Sequence, residues 1–233
     1  MDKAQRMGKM AILPLLITMS IPAVISMMVE AAYNIVDSIF VGQISENALI
    51  AVSLAFPLQM ILVSVTVGLG IGISVVVSRK LGENKEEDAI NAGAHGFVIA
   101  FIMWIIVVMV GLFIPKLFFR IFTDDVDVIN QGVTYISIIM IFSFGRIMAR
   151  VCASFLQANG DMISSMKIQI TGAVINIIMD PVLIFGFLLI PGLGIAGAAI
   201  ATSGAQVIGM FVGFFLLRRN KLGAQISLKK FKF

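Results

Sequence analysis

The sequence predicts an all-α membrane protein with six transmembrane helices and both termini on the cytoplasmic side. Three observations lead there. First, 59% of the 233 residues are hydrophobic and 13% charged, at a mean hydropathy of +1.04; a soluble domain has about 45–50% apolar and 25% charged residues. Second, six apolar runs of bilayer length follow one another along the chain. Third, of the 17 Lys and Arg, only Lys116 and Arg120 belong to the odd-numbered connections. The rest lie in or beside the N-terminus, the second and fourth connections and the C-terminal tail, which marks those as cytoplasmic.

The runs cover about 11–40, 48–77, 93–114, 128–150, 165–189 and 195–217, so that residues 1–217 form one six-helix unit and residues 218–233 a basic tail. The first run follows Lys3, Arg6 and Lys9, as a signal peptide would. Its apolar stretch continues to Val29, beyond the roughly 7–15 residues of a signal h-region, and no A-x-A site follows, so it reads as a retained helix. Polar joints separate the others: residues 43–47, the charged 79–88, the mixed-sign 116–127, Ala158-Asn159-Gly160-Asp161 and Pro191-Gly192-Leu193-Gly194. Pro22 lies inside the first run and Pro181 directly follows Asp180 in the fifth. A helical proline frees the carbonyl four residues earlier, here those of Thr18 and Ile177. In a membrane that carbonyl needs a helix, a water or a cation. The sixth run carries Gly197, Ala201, Ala205, Gly209 and Gly213 at strict four-residue spacing, a small-residue ladder for close helix approach. Gly68, Gly70 and Gly72 read the same way in the second.

Asp37 and Asp180 carry the functional signal. A carboxylate inside a bilayer costs several kcal/mol, roughly, and faces a cavity or a partner. At 100° per residue from Glu30, Tyr33 falls at about −60°, Asn34 at about +40° and Asp37 at about −20°. Ser26 shares that arc, so one stripe of the first helix is polar. In the fifth run Gln169, Asn176 and Asp180 share one face at i, i+7 and i+11. Thr202 adds a hydroxyl beside the ladder. Mutual hydrogen bonding within a bundle would explain these groups as structure alone; ion or proton handling explains them as function.

Several classes are excluded. The single Cys152 allows no intramolecular disulfide framework. The net charge of +4 comes from basic residues bordering apolar runs, not from a basic patch with interleaved aromatics, so no nucleic-acid partner is expected. No metal-spaced Cys/His cluster and no phosphate-binding loop occur, which argues against a metalloenzyme or an ATP-driven pump. An aspartyl protease would need Tyr-Asp and Gly-x-Gly-Asp motifs, but Asp37 follows Val36 and Asp180 follows Ile178 and Met179. A serine protease would need a nucleophile elbow and an apposed histidine, and His95 is the only histidine. The chain is not expected to be an enzyme or to carry a cofactor.

Five stretches resemble the multidrug and toxic compound extrusion (MATE) family of secondary transporters. They are Asn34-Ile35-Val36-Asp37-Ser38-Ile39-Phe40-Val41-Gly42, Ser78-Arg79-Lys80-Leu81-Gly82, Phe155-Leu156-Gln157-Ala158-Asn159-Gly160-Asp161, Asn176-Ile177-Ile178-Met179-Asp180-Pro181 and the segment from Gly194 to Thr202. Their order and spacing span nearly the whole chain. The resemblance implies a fold of twelve helices in two six-helix lobes, of which this chain matches the amino-terminal one. It implies export of amphipathic, often cationic, compounds from a bacterial plasma membrane in exchange for Na⁺ or H⁺. It also implies a cation or proton site at Asp37, Asn176, Asp180 and Thr202. Helix geometry adds Glu30, Tyr33, Asn34 and Gln169 as cavity-lining candidates. The expected partners are membrane lipids, small amphipathic substrates, and a second six-helix lobe or a second copy of the chain. Residues 218–233 would then be the linker between lobes, and a fragment of a longer transporter is the expected status of the chain. A lipid or polysaccharide-precursor flippase is the nearest rival. Such a protein lines its cavity with basic residues, whereas here Arg146 and Arg150 fall near the cytoplasmic end of the fourth run and the cavity reads as acidic.

Overall fold

The computed structural model describes residues 11–187 and 190–226. Seven helices form a bundle: α1 (Ile12–Gly42), α2 (Glu46–Gly82), α3 (Glu86–Phe122), α4 (Val126–Ile141), α5 (Phe144–Ala158), α6 (Met162–Phe185) and α7 (Gly194–Arg219). A two-residue hairpin, β1 (Gly186–Phe187) with β2 (Ile190–Pro191), separates α6 from α7, and a 3₁₀ turn (Gly223–Gln225) follows. Most of tail 218–233, and the N-terminal Lys3, Arg6 and Lys9, lie outside the described residues.

The polar joints act as helix caps. Ser45 Oγ accepts from Ala48 N at 3.1 Å, Asp125 Oδ1 from Asp127 N at 2.8 Å, and Asp161 Oδ1 from Ser164 N at 3.3 Å. Each satisfies an amide that the first helical turn leaves unpaired. Glu86, Glu87 and Asp88 open α3, and Arg218 and Arg219 close α7, both matching the helix dipole. Between α2 and α3, Glu83 accepts from Lys85 and Arg79, which hold its carboxyl below the usual carboxylate range.

Among the described residues five helices are long and apolar enough to cross a membrane, and α4 with α5 supplies a sixth span bent by 44°. That bend departs from the continuous run expected over 128–150. Ser143 is fully buried at the break and its hydroxyl donates to Met140 O at 2.8 Å. The interrupted ladder frees the Ile141 carbonyl, which accepts instead from Trp104 Nε1 at 3.1 Å. An exposed carbonyl could not survive in lipid, so Trp104 on α3 makes the break tolerable. Beyond it, α5 runs eight residues past 150. Arg146, in the first turn of α5, and Arg150 therefore sit inside the bent α4–α5 span and not at its end, and drop out of the loop charges that set orientation.

Helix α6 packs between α1 and α7, α7 also lies on α4 and α5, and α2 backs α3, α4 and α5. The small-residue ladder turns inward. A Cβ on Gly197 would overlap the Leu183 carbonyl, Gly209 faces Ile168 O, and Gly213 faces Cys152 Cβ. Ala201 and Ala205 are buried between them. The glycines of α2 are not alike: Gly68 and Gly72 meet open space, while Gly70 lies against Arg150 and Ser154. Because the obstacle at position 197 is backbone, Gly197→Ala should cost about 1–3 kcal/mol by forcing α6 and α7 apart. A thermal-unfolding midpoint in detergent equal to that of the parent would show the crossing to be loose. Helix α1 is the least enclosed, burying only Pro22, Ser26 and Val41. Its remaining apolar surface suits lipid or another helical body.

Candidate functional site

The expected site residues occupy two adjoining zones. In the first, α6 and α7 bring Asn176, Asp180 and Thr202 into one hydrogen-bonded chain. Asn176 Nδ2 donates to Asp180 Oδ1 at 3.1 Å and to Thr202 Oγ1 at 3.3 Å. The helix repeat sets Asn176 one turn before Asp180, and Pro181 stands next to that carboxylate. Asp180 is fully buried, and its Oδ2 has no hydrogen-bond partner among the described residues. Asn176 Oδ1 and, on α1, Asp37 Oδ1 are buried and unpartnered in the same way.

Among the described residues Asp37 has no hydrogen-bond partner, but it lies within Coulombic reach of Asp180. The molecule's two tyrosines, Tyr33 and Tyr135, feel both carboxylates. Tyr135 on α4 accepts from Gln59 Nε2 on α2 at 3.1 Å. Gln59 and Tyr135 were not singled out in the sequence. Their signal was available: an amide two residues after Pro57 in an apolar helix, and the second of only two phenols.

The three unpartnered oxygens are hard, acceptor-type atoms. They suit Na⁺, with Thr202 as a neutral neighbour, or a proton that turns one acid into a hydrogen-bond donor. Among the described residues no three His, Cys, Asp or Glu side chains group as a metal site.

The second zone is a cavity of about 240 Å³ opening beside the first, with Asn176 and Thr202 in its wall. Glu30, Tyr33 and Gln169 line it as well. Asp37 and Asp180 are not among the residues that line it, and Asp180 reaches it only through its hydrogen bond with Asn176. Asn34 is a correction: it is exposed, beside Ser38 and Leu49 in a shallow surface pocket. Its angular offset of about 60° from Asp37 carries it off the inward face, whereas Tyr33 is only about 40° away.

The charge of the cavity is a second correction. Arg146 and Arg150 line it, and Glu30 is the single carboxylate among its lining residues. Arg146 Nη2 lies 3.9 Å from Glu30 Oε1. The acidic reading failed because span 128–150 placed both arginines at a helix end. The longer α5 points them inward, one turn apart.

Known proteins resemble the chain over most of its length. A family model described as MatE matches residues 22–182. The FAD transporter of Shewanella oneidensis is 29% identical over 87% of this chain and 45% of its own length. The probable multidrug resistance protein YoeA of Bacillus subtilis is 26% identical over 86% and 44%. Among solved structures, a MOP superfamily transporter from Pyrococcus furiosus superposes with a TM-score of 0.87 at 26% identity, covering 100% of this chain and 49% of that one. For that transporter a binding pocket of reversed polarity and a different function have been suggested. An outward-facing multidrug resistance MATE family transporter of the same superfamily gives 0.86 at 26%, with the same coverage. The chain spans about half the length of the relatives it matches. With the family model matching well over half of its residues, this multi-pass membrane chain belongs to the MATE family of transporters.

Proposed function

We propose that this chain forms the cation-coupled lobe of an exporter of amphipathic compounds, driven by exchange for Na⁺ or H⁺ across a bacterial plasma membrane. One observation carries the reading: Asp180 is fully buried in a membrane bundle with one of its two carboxylate oxygens unpartnered. A bare carboxylate there is costly, so an ion or a proton has to join it. Asn176, Thr202 and Asp37 supply the surrounding oxygens. Occupancy changes the charge beside Pro181, where the Ile177 carbonyl lacks its usual amide donor. A ligand that binds unequally to two states differing in the bend at Pro181, or in one at Pro22, shifts their balance, and with it the inward and outward states.

The cargo enters the cavity walled by Tyr33, Gln169 and apolar side chains of α2, α5 and α6. The names of the MepA and YoeA relatives support drug-like amphipathic cargo, for which cationic compounds were the expectation. The FAD transporter relative supports a charged, phosphate-bearing cargo instead. Both termini are placed in the cytoplasm by the positive charge bias, and a second six-helix lobe completes the transporter.

The direct test is dye efflux from vesicles containing the complete two-lobed transporter, under imposed Na⁺ or pH gradients. Efflux should require one of them, and efflux indifferent to both would refute coupling. A second reading, a lipid or polysaccharide-precursor flippase, gains from Arg146 and Arg150 in the cavity. Flipping of a labelled anionic lipid, with no dye efflux, would select it.

A further inference from the structure

We propose that the cavity engages its cargo through an anionic group, a phosphate or a carboxylate, held between Arg146 and Arg150. The inference rests on the reading of this cavity as the cargo site, and it specifies the cargo's chemistry.

Position comes first. Arg150 and Arg146 lie eight and twelve residues before the C-terminal end of α5, about 12 and 18 Å along the helix. Both side chains line the cavity, which keeps their guanidinium groups away from the apolar outer face of the span. Their spacing of four residues stacks them on one face, where two guanidinium forks can address one group.

Neither fork is saturated by the protein. Among the described residues Arg150 has no hydrogen-bonded acceptor, and its Nε is buried and unpartnered. Arg146 meets Glu30 only at 3.9 Å, beyond hydrogen-bond length. Two guanidiniums against one carboxylate give the lining itself an excess of positive charge, Asp37 and Asp180 not being among the lining residues. A guanidinium presents paired N–H donors in a plane, the geometry that a phosphate or carboxylate accepts in bidentate fashion.

Space is reserved for Arg150. A Cβ on Gly70 would stand 2.6 Å from Arg150 Nε and 2.6 Å from Ser154 Oγ. The bare backbone of α2 therefore lets the arginine stem lie across it, and Gly70 is a positioning residue for the fork. Around the charged centre, Val63, Val67, Ala153 and Ile168 form an apolar wall. The composite fits an amphipathic molecule with an anionic head and an apolar body.

The test measures binding by the purified, complete transporter in detergent, using carboxyfluorescein as the anionic probe and ethidium as the cationic one. Carboxyfluorescein should bind, and Arg150→Gln should lower the ratio of its affinity to that of ethidium about tenfold or more, the scale of a lost charge-assisted pair. Arg150→Lys keeps the charge and loses the fork, so it should fall between the two and guards against a folding defect. Gly70→Ala should lower the same ratio by displacing the arginine. Displacement of the probe by phosphatidylglycerol but not by adenosine monophosphate would assign the anion to a lipid headgroup; the reverse would assign it to a soluble compound. Absence of carboxyfluorescein binding, or an affinity ratio unchanged in both Arg150 variants, would overturn the proposal. Arginine-dependent binding with no gradient-driven transport of any probe would instead overturn the exporter reading and leave the anion site standing.

Discussion

Asp180→Asn, and separately Asp37→Asn, should abolish cation-coupled export by the complete transporter while the protein folds normally. Asp180 contributes a buried carboxylate with one unpartnered oxygen, and Asp37 adds a second charge within its Coulombic reach. Removing either charge removes the reason for a cation or proton to enter. Altering groups around a bound ion costs about 10- to 100-fold in affinity, and loss of a charged ligand belongs at or above the upper end. The bundle should tolerate the change. An amide is nearly isosteric with the carboxylate, and neutralising an uncompensated buried charge is stability-neutral or stabilising by about 1 kcal/mol. The measurements are gradient-driven efflux from vesicles and the thermal midpoint in detergent. Full efflux in both variants at normal expression would make these carboxylates structural. Lost efflux with a midpoint lowered by many degrees would point to packing instead of coupling.

Expressed without a second lobe, the 233-residue chain should fold as its six spans and move no dye. Alternating access needs one body to rock against another around the cavity. Here the cavity is walled by helices of a single lobe. Self-association in detergent is the expected accompaniment, through exposed apolar side chains such as Ile35, Phe56 and Ile71. The ladder of α7 takes no part, because it is spent on packing against α5 and α6. The mass of the purified chain in detergent and efflux from vesicles decide the matter. Gradient-driven efflux by a defined dimer would show that two copies supply both lobes; an inert monomer or mixed aggregate fits the single-lobe reading.

Much of this protein is determined by local sequence alone. Hydropathy over windows of bilayer length fixes which segments can cross, since backbone groups in lipid must be satisfied and a continuous helix satisfies nearly all of its own. Capping residues such as Ser45, Asp125 and Asp161 mark helix starts because their side-chain oxygens meet amides two or three residues away. The i, i+4 relation of Asn176 and Asp180 needs no tertiary information, and their hydrogen bond follows from it. Carboxylates at 37 and 180 stood out because an ionised group in an apolar run has no local compensation.

Tertiary structure decided the rest. Trp104 lies 37 residues before the carbonyl it rescues, so the break between α4 and α5 had no local signature strong enough to interrupt an apolar run. That break and the longer α5 moved Arg146 and Arg150 from a helix end to the cavity wall and changed its charge. Thr202 joins Asn176 only because Gly197 and its ladder let α7 approach α6 closely. Asn34 and Tyr33 are neighbours in sequence, yet one faces outward and the other lines the cavity, since a rotation of a few tens of degrees about α1 is set by what packs against it. Periodicity along one helix orders its faces, but which face meets a cavity depends on side chains contributed by the other helices.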